Sequence, residues 1–310
     1  MITEFVITQG ETRKRLDVFL CHRERNISRT GIRRLIELGR IRLNAAVVKS
    51  SHIVKPGDHI TMDTPQPELL TIGGEEVSLE ILHEDDLLLV VNKPAGIVVH
   101  PTSGNWSGTL LNAILSHFQT DQHSTEEHSN VRFVHRLDKS TSGVMVIAKT
   151  PEAHRAIGIQ FEHHTITRIY EALVWGSPNT MQEVIDLPIG RDIKNTKLIS
   201  AQTVEPKRAI TEYKVIQRFG EKASRVKLLP RTGRTHQLRT HMALIGCPIL
   251  GDIMYGEDKV SQIEELTIPR VMLHARTLGF QHPTLGCFQK YSADPPSDMQ
   301  AICQALEHQA

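Results

Sequence analysis

The feature that most narrows how this chain can fold is a polar string set between two short apolar runs. The string is His135-Arg136-Leu137-Asp138-Lys139-Ser140-Thr141-Ser142-Gly143, and the runs are 131–134 and 144–148. Both runs are short and rich in β-branched residues, so they read as strands and the string as the turn that joins them. A turn between strands needs little more than Asn-Gly or a single Gly. Cations, a carboxylate and three hydroxyls are chemistry beyond that need. Arg136 and Lys139 flank Asp138 and favour its charged form. Thr141, Ser142 and the backbone at Gly143 offer donors to a phosphate or a sugar. The Asp-Lys pair alone also fits an ordinary charged hairpin, where a surface ion pair is worth little.

The formal net charge of +1 hides an asymmetry. Residues 1–64 carry 12 Lys and Arg against 7 Asp and Glu, a net of +5, while the rest carries 24 against 28, a net of −4. A basic head on a slightly acidic body suggests a module for a polyanion. Within the head, Leu16, Phe19 and Leu20 follow helical spacing over 15–23. Ser28 can cap a second helix that runs through Leu38 and stops at Gly39. That helix buries Ile32, Leu35 and Ile36 and leaves Arg29, Arg33, Arg34 and Arg40 on its other side. A strand over 41–48, bent near Asn44-Ala45, carries Arg42. Pro56-Gly57-Asp58 then turns into a strand over 59–62. Seven arginines lie between Arg23 and Arg42 against Glu24 and Glu37 alone, and guanidinium forks suit phosphate. Arg29, Arg33, Arg34, Arg40 and Arg42 are therefore candidate RNA contacts. Pro and Gly over 65–78 mark a linker. The expected organisation is an RNA-binding domain at 1–64, a linker at 65–78 and a catalytic domain at 79–310.

In the larger part, 79–82 and 87–92 read as strands, and Lys93-Pro94-Ala95-Gly96 as a turn. Gly104, Asn105 and Gly108 mark a loop, and Thr109 can cap a helix through His117. Residues 119–130 read as a polar surface loop. Thr150-Pro151-Glu152 combines an N-cap, a Pro at the first helical position and an early acid, a strong helix start with Ala153, Ile157 and Phe161 facing inward. Residues 170–176 read as a strand carrying Tyr170. Residues 186–213 read as strand and loop with scattered cations, Lys197 and Arg208 among them. Thr235 can cap a helix to about Ile245, stopped by Gly246, with Leu238, Met242 and Ile245 at helical spacing. Arg231, Arg234 and Arg239 near its start make an anion site. The pattern as a whole reads as α+β, a mixed, mainly antiparallel sheet flanked by helices. No metal is expected: His163 and His164 are adjacent and so face different ways, and no H-E-x-x-H spacing occurs among the 17 histidines. A dinucleotide fingerprint and a phosphate-binding loop motif are both missing, so no cofactor is expected. The four cysteines lack CxxC spacing and no secretory leader is evident, which points to the cytoplasm. No apolar run approaches the length of a membrane span.

These motifs are similar, in order and spelling, to those of the RluA-type pseudouridine synthases. The string 135–143 matches H-R-L-D-x-x-T-S-G at every fixed position, and 233–239 matches G-R-x-H-Q-L-R. Residues 90–101, the strand at Tyr170, and 248–252 and 269–275 continue the likeness, which covers about 80–290. The head resembles the S4 RNA-binding domain. Two departures are Cys247, where many relatives have His, and Arg208, where Pro is usual. The resemblance implies an isomerase that needs no cofactor. It implies Asp138 as the catalytic carboxylate, Tyr170 against the target base, Arg239 as the ion-pair partner of Asp138 and Leu273 as an apolar wall. Arg136 would fill the space left by the extruded base. His135, Thr141, Ser142, Gly143, Arg234, His236 and Gln237 would contact or support RNA. Whether Asp138 attacks the sugar, attacks the base or takes the C2′ proton stays open. The head and the spelling of 99–109 are most similar to the group acting on large-subunit rRNA. That implies a cytoplasmic monomer whose partner is 23S rRNA or pre-50S particles, with no membrane or small-molecule cofactor. The same chemistry on tRNA is one alternative. A non-catalytic RNA-binding assembly factor is another, against which the intact Asp138, Tyr170 and Arg239 argue.

Overall fold

Alternating and helical apolar spacing divides into separate cores in the computed structural model. It describes residues 2–9, 14–24, 29–63, 78–101, 107–120, 131–196, 198–256, 262–263 and 266–309. Contacts divide the chain into two units, Met1–Thr71 and Ile72–Ala310. Ser28, Gly104, Asn105, Lys197 and nearly all of the 65–78 and 119–130 segments lie outside the described residues, as does the side chain of Arg34.

In the first unit, β1 (Ile2–Val6) precedes α1 (Leu16–Arg23), α2 (Arg29–Glu37), β2 (Ile41–Leu43) and β3 (His59–Asp63). The strands form an antiparallel sheet in the order β1-β3-β2. Leu16, Phe19 and Leu20 of α1 and Ile32 and Ile36 of α2 share its core with Ile41, Ile60 and Met62, as their spacing implies. β1 escapes the sequence reading. The strand expected over 41–48 ends at Leu43, because Asn44 and Ala45 take left-handed backbone (φ 51° and 65°) and turn the chain.

The second unit holds β4 (Glu80–Glu84), β5 (Leu88–Lys93), α3 (Leu110–Thr120), β6 (Arg132–Phe133), β7 (Ser142–Ala148), α4 (Pro151–Glu162), β8 (Thr167–Trp175) and β9 (Gln182–Asp186). There follow β10 (Gly190–Arg191), β11 (Ile199–Ser200), β12 (Ile210–Phe219), β13 (Ala223–Pro230), α5 (Gln237–Leu244), β14 (Gln262–Ile263), β15 (Leu266–Thr267), β16 (Leu273–Gln281), β17 (Phe288–Ser292) and α6 (Ser297–His308). The main sheet runs β4-β5-β7-β16-β8-β13-β12-β9, with β17 also on β16 and β6 also on β7. Its described pairs are antiparallel except β7 with β16. The fold is α+β with a mixed, mainly antiparallel sheet, as the pattern implies.

Every residue of β7 is buried, the mark of a strand covered on both faces. Val144, Val146 and Ala148 join Ala153 and Ile157 of α4 in one core, while Met145 and Ile147 join Leu110 and Ile114 of α3 in another. α4 starts as its sequence dictates, with the Thr150 hydroxyl accepting from the Ala153 amide at 3.1 Å. α6 and the strands β9, β12, β13 and β17 carry no motif that singles them out. α6, β9, β12 and β13 complete the third core with Leu238 and Met242 of α5, while Tyr291 of β17 packs against the core shared with α4. Since β16 lies between β7 and β8, the loop entering β7, the start of β16 and the middle of β8 converge on one place.

Candidate active site

Asp138 sits on the loop from β6 to β7, Tyr170 on β8, Leu273 at the start of β16, and His236 and Arg239 at the start of α5. All five line one cavity of about 550 Å³, well within the range of small-molecule sites. The Asp138 side chain is 24% exposed, so it is open to a substrate. The basic side chains nearest it are Arg239, its ion-pair partner with Nη1 3.4 Å from Oδ2, and His236, with Nε2 3.8 Å away. They are not the neighbours Arg136 and Lys139, both of which are exposed.

Arg239 is itself held from behind. Its Nε and Nη2 donate to Asp252 Oδ2 and Oδ1 at 2.6 and 2.8 Å. Asp252 is fully buried and also accepts from the amides of Met254 and Tyr255. The guanidinium lies 5.1 Å from the Tyr255 ring centre, and the Tyr255 hydroxyl is 2.9 Å from His236 Nδ1. A bidentate pair to a rigid carboxylate fixes the plane of the guanidinium and leaves Nη1 for Asp138. Asp252 and Tyr255 are site residues that the sequence reading misses, since nothing local marks them as partners of a residue on α5.

α5 begins one residue later than its sequence suggests. Thr235 is not its cap. His236 takes that position in left-handed backbone (φ 53°) with no side-chain cap, and the helix starts at Gln237. The Gln237 side chain closes the turn instead, accepting from the Arg234 amide and the Thr232 hydroxyl and donating to the Ile210 carbonyl and the Thr211 hydroxyl. Those four bonds commit its amide to the loop. The left-handed backbone costs a non-glycine residue roughly 1–2 kcal/mol. Burial pushes the His236 imidazole down, against the pull of Asp138.

The loop carrying Asp138 is pinned by two basic side chains from outside it. Lys93, wholly buried, donates Nζ to the carbonyls of Pro94, Ile97 and Lys139. Burial and the neighbouring Arg270 push its pKa down to about 7, against Asp138. Arg270 donates to the Ser140 carbonyl at 3.1 Å while forking onto Asp298. Lys93 sits in what reads as a simple Lys-Pro turn, and its role is invisible there.

Several candidates have other neighbours than expected. Ser142 and Gly143 belong to β7 and face the sheet. The Ser142 hydroxyl is 2.9 Å from Nδ1 of buried His274. A Cβ on Gly143 would come within 2.3 Å of the Ala275 carbonyl oxygen, so only glycine lets β7 lie against β16. His135 accepts the Val146 amide at Nε2 and stacks on Phe161 with ring centres 4.7 Å apart. Burial, with Arg168 nearby, lowers its pKa to about 3, so it anchors the loop as a neutral ring. Thr141 is buried but lines the cavity, with Arg136 and Arg234 exposed at its edge. Tyr170 stays protonated, since burial pushes its phenol up, opposed by Arg168 and aided by Asp138.

In the head, Arg29 and Arg33 join Arg15 on the fully buried Asp17 at 2.7–3.1 Å. Burial opposes its ionisation, but the bonds from Arg15, Arg33 and Arg29 hold its carboxyl well below the usual range. Arg29 and Arg33 thus tie α1 to α2 while keeping 48% and 45% of their side chains exposed. Arg40 lies 3.7 Å from Asp63, and Arg42 donates to the Gly39 carbonyl. No described helix is long and apolar enough to cross a membrane.

A family model described as RNA pseudouridylate synthase matches residues 87–244, and the S4 domain model matches 14–60. The chain is 38% identical over 302 residues to an uncharacterized RNA pseudouridine synthase of Bacillus subtilis, covering 97% of each. It is 38% identical over 298 residues to the ribosomal large subunit pseudouridine synthase D of Zymomonas mobilis, covering 94% of this chain and 93% of that one. Among solved structures, human RNA pseudouridylate synthase domain containing 4 superposes with a TM-score of 0.60 at 25% identity, covering 73% of this chain and 92% of the other.

Proposed function

Since this chain belongs to the RNA pseudouridylate synthase family and is an RNA pseudouridine synthase, we propose that it isomerises uridines of 23S rRNA with Asp138 as the catalytic carboxylate. The observation that carries the assignment is the chain of contacts Asp138–Arg239–Asp252, which presents one partly exposed carboxylate to a cavity walled by Tyr170 and Leu273. The reaction breaks the N1–C1′ bond and forms C5–C1′. N1 gains a proton and the C5 proton passes to water, so no oxidant or outside energy enters.

Each residue then has a task. The target uridine leaves its stack at a cost of a few kcal/mol. Tyr170 stacks on the extruded base and returns about 1–3 kcal/mol. Leu273 closes the opposite side, and the Arg136 guanidinium fills the vacated space. Arg239 aims Asp138, which acts as nucleophile or base. His236, kept neutral by burial, stands 3.8 Å from that carboxylate. Large-subunit rRNA is the substrate favoured by the head and by relatives named ribosomal large subunit pseudouridine synthase D in Zymomonas mobilis and Pseudomonas aeruginosa. The protein acts as a monomer in the cytoplasm, on 23S rRNA or pre-50S particles. Pseudouridine mapping in rRNA and tRNA from cells lacking the protein tests this: one or more 23S positions lose the modification and regain it with the wild-type gene. Loss confined to tRNA would overturn the rRNA assignment.

A further inference from the structure

A second cavity, of about 530 Å³, adjoins the first. The two share His164, Arg168, Pro230, Thr232 and Arg234 as walls. Arg208 and Arg231 continue the second one outward. We propose that this groove seats the RNA backbone next to the target nucleotide, with Arg168 as the positioning residue at the junction. The proposal rests on the reading of the first cavity as the site of an extruded uridine. A nucleotide held there is joined to phosphates on both sides, so part of the backbone must leave through an open, positively charged edge.

Arg168 stands two residues before Tyr170 on β8. Strand alternation puts both on one face, about 7 Å apart along the strand. Its guanidinium lies 5.9 Å from the Phe161 ring centre and donates Nη2 to the Pro230 carbonyl at 3.2 Å. Its Nε is buried with no hydrogen-bond acceptor among the described residues. Buried donors are nearly always satisfied, and this one belongs to a side chain that walls both cavities. A phosphate oxygen would supply an acceptor. Gly233 lets the loop after β13 approach, since a Cβ there would lie 3.0 Å from Arg168 Nη1.

Farther out, the Arg208 and Arg231 side chains are 75% and 60% exposed. Two carboxylates oppose this charge. Glu212 accepts from Arg231 at 3.1 Å, and Asp186 lies 3.7 Å from Arg208. Arg234 donates Nε to the Arg208 carbonyl at 3.1 Å and so links the two ends of the groove. Four guanidiniums against two carboxylates leave a surplus of positive charge, and the Arg fork matches phosphate.

The test uses the full chain with transcribed 23S rRNA as probe. Binding is measured across about 50 to 200 mM salt, pseudouridine formation gives KM and kcat, and melting is followed in parallel. Arg208→Gln/Arg231→Gln is expected to flatten the log–log salt slope by about 1.4, from about 0.7 per contact on single strands, and to raise KM roughly tenfold. Arg168→Met raises KM at least as much, and Arg168→Lys recovers part of that loss because it restores the charge. Lys222→Gln, which removes a cation at the far end of β13, keeps the wild-type slope. A double variant with wild-type slope and KM overturns the groove, whether or not Arg168→Met folds. So does Arg168→Lys no better than Arg168→Met in a protein that melts normally. The slope is read without turnover. A wild-type protein that modifies neither rRNA nor tRNA, yet loses slope in the double variant, would refute the proposed function and keep the groove.

Discussion

Arg239→Met removes the cation between two carboxylates while keeping most of the side chain's volume. Asp252 is 0% exposed and Arg239 7% exposed, so water cannot stand in for the lost partner. A buried ion pair broken from one side costs about 3–5 kcal/mol, because a charge is left without compensation. For the 239-residue unit that starts at Ile72, each kcal/mol lowers Tm by about 2–4 °C, so melting should fall by about 10 °C. Adding Asp252→Asn takes away the orphaned charge and still leaves an oxygen for the amides of Met254 and Tyr255. The double variant should regain about 2 kcal/mol of the loss, a coupling read directly from the double-mutant cycle. Its activity should not return, because Asp138 has still lost the donor at 3.4 Å. Thermal melting with a tritium-release assay on rRNA separates the two effects. If Arg239→Met melts within about 2 °C of wild type, the pair is worth no more than an exposed one and the reasoning fails.

Three further outcomes follow from the site. Asp138→Asn should abolish pseudouridine formation with fold and RNA affinity near wild type, and turnover at a tenth of wild type by mass spectrometry would sink its catalytic role. Tyr170→Phe should keep RNA affinity, whereas Tyr170→Ala should lose stacking worth about 1–3 kcal/mol together with rate; wild-type turnover by the alanine variant would reduce Tyr170 to strand packing. Lys93 supplies a pH dependence: its pKa is about 7 folded and about 10.4 unfolded. Between these values the unfolded chain binds the extra proton, so stability from this residue rises with pH and is lost as pH falls through about 7. The gap in urea midpoint between wild type and Lys93→Met should therefore shift in favour of wild type from pH about 6.5 to about 9, and parallel curves would refute the buried-amine assignment.

Much of the fold is legible locally. The Thr150-Pro151 start of α4, the apolar spacing of α1 and α2, and the β-branched run of β7 each report the state of their own backbone, and the structure agrees. The polar string at 135–143 likewise announces a site, since it carries more chemistry than a turn requires. β1, β12, β13 and α6 are less legible, because their apolar residues are shared among cores whose other walls lie far along the chain.

Partners within the site belong to tertiary structure alone. The sequence places Arg136 and Lys139 beside Asp138, yet the cation that reaches it comes from 101 residues away. Ser142 and Gly143 look available to a ligand until β7 pairs with β16 and buries them. Lys93 looks like part of a surface turn until the Asp138 loop lies over it, and Arg168 looks like any strand cation until Gly233 closes above its guanidinium. Residue type and spacing determine which backbone a segment adopts and which chemistry it brings. Burial and charge pairing depend on which distant segments cover that chemistry, and those interactions act through space rather than along the chain.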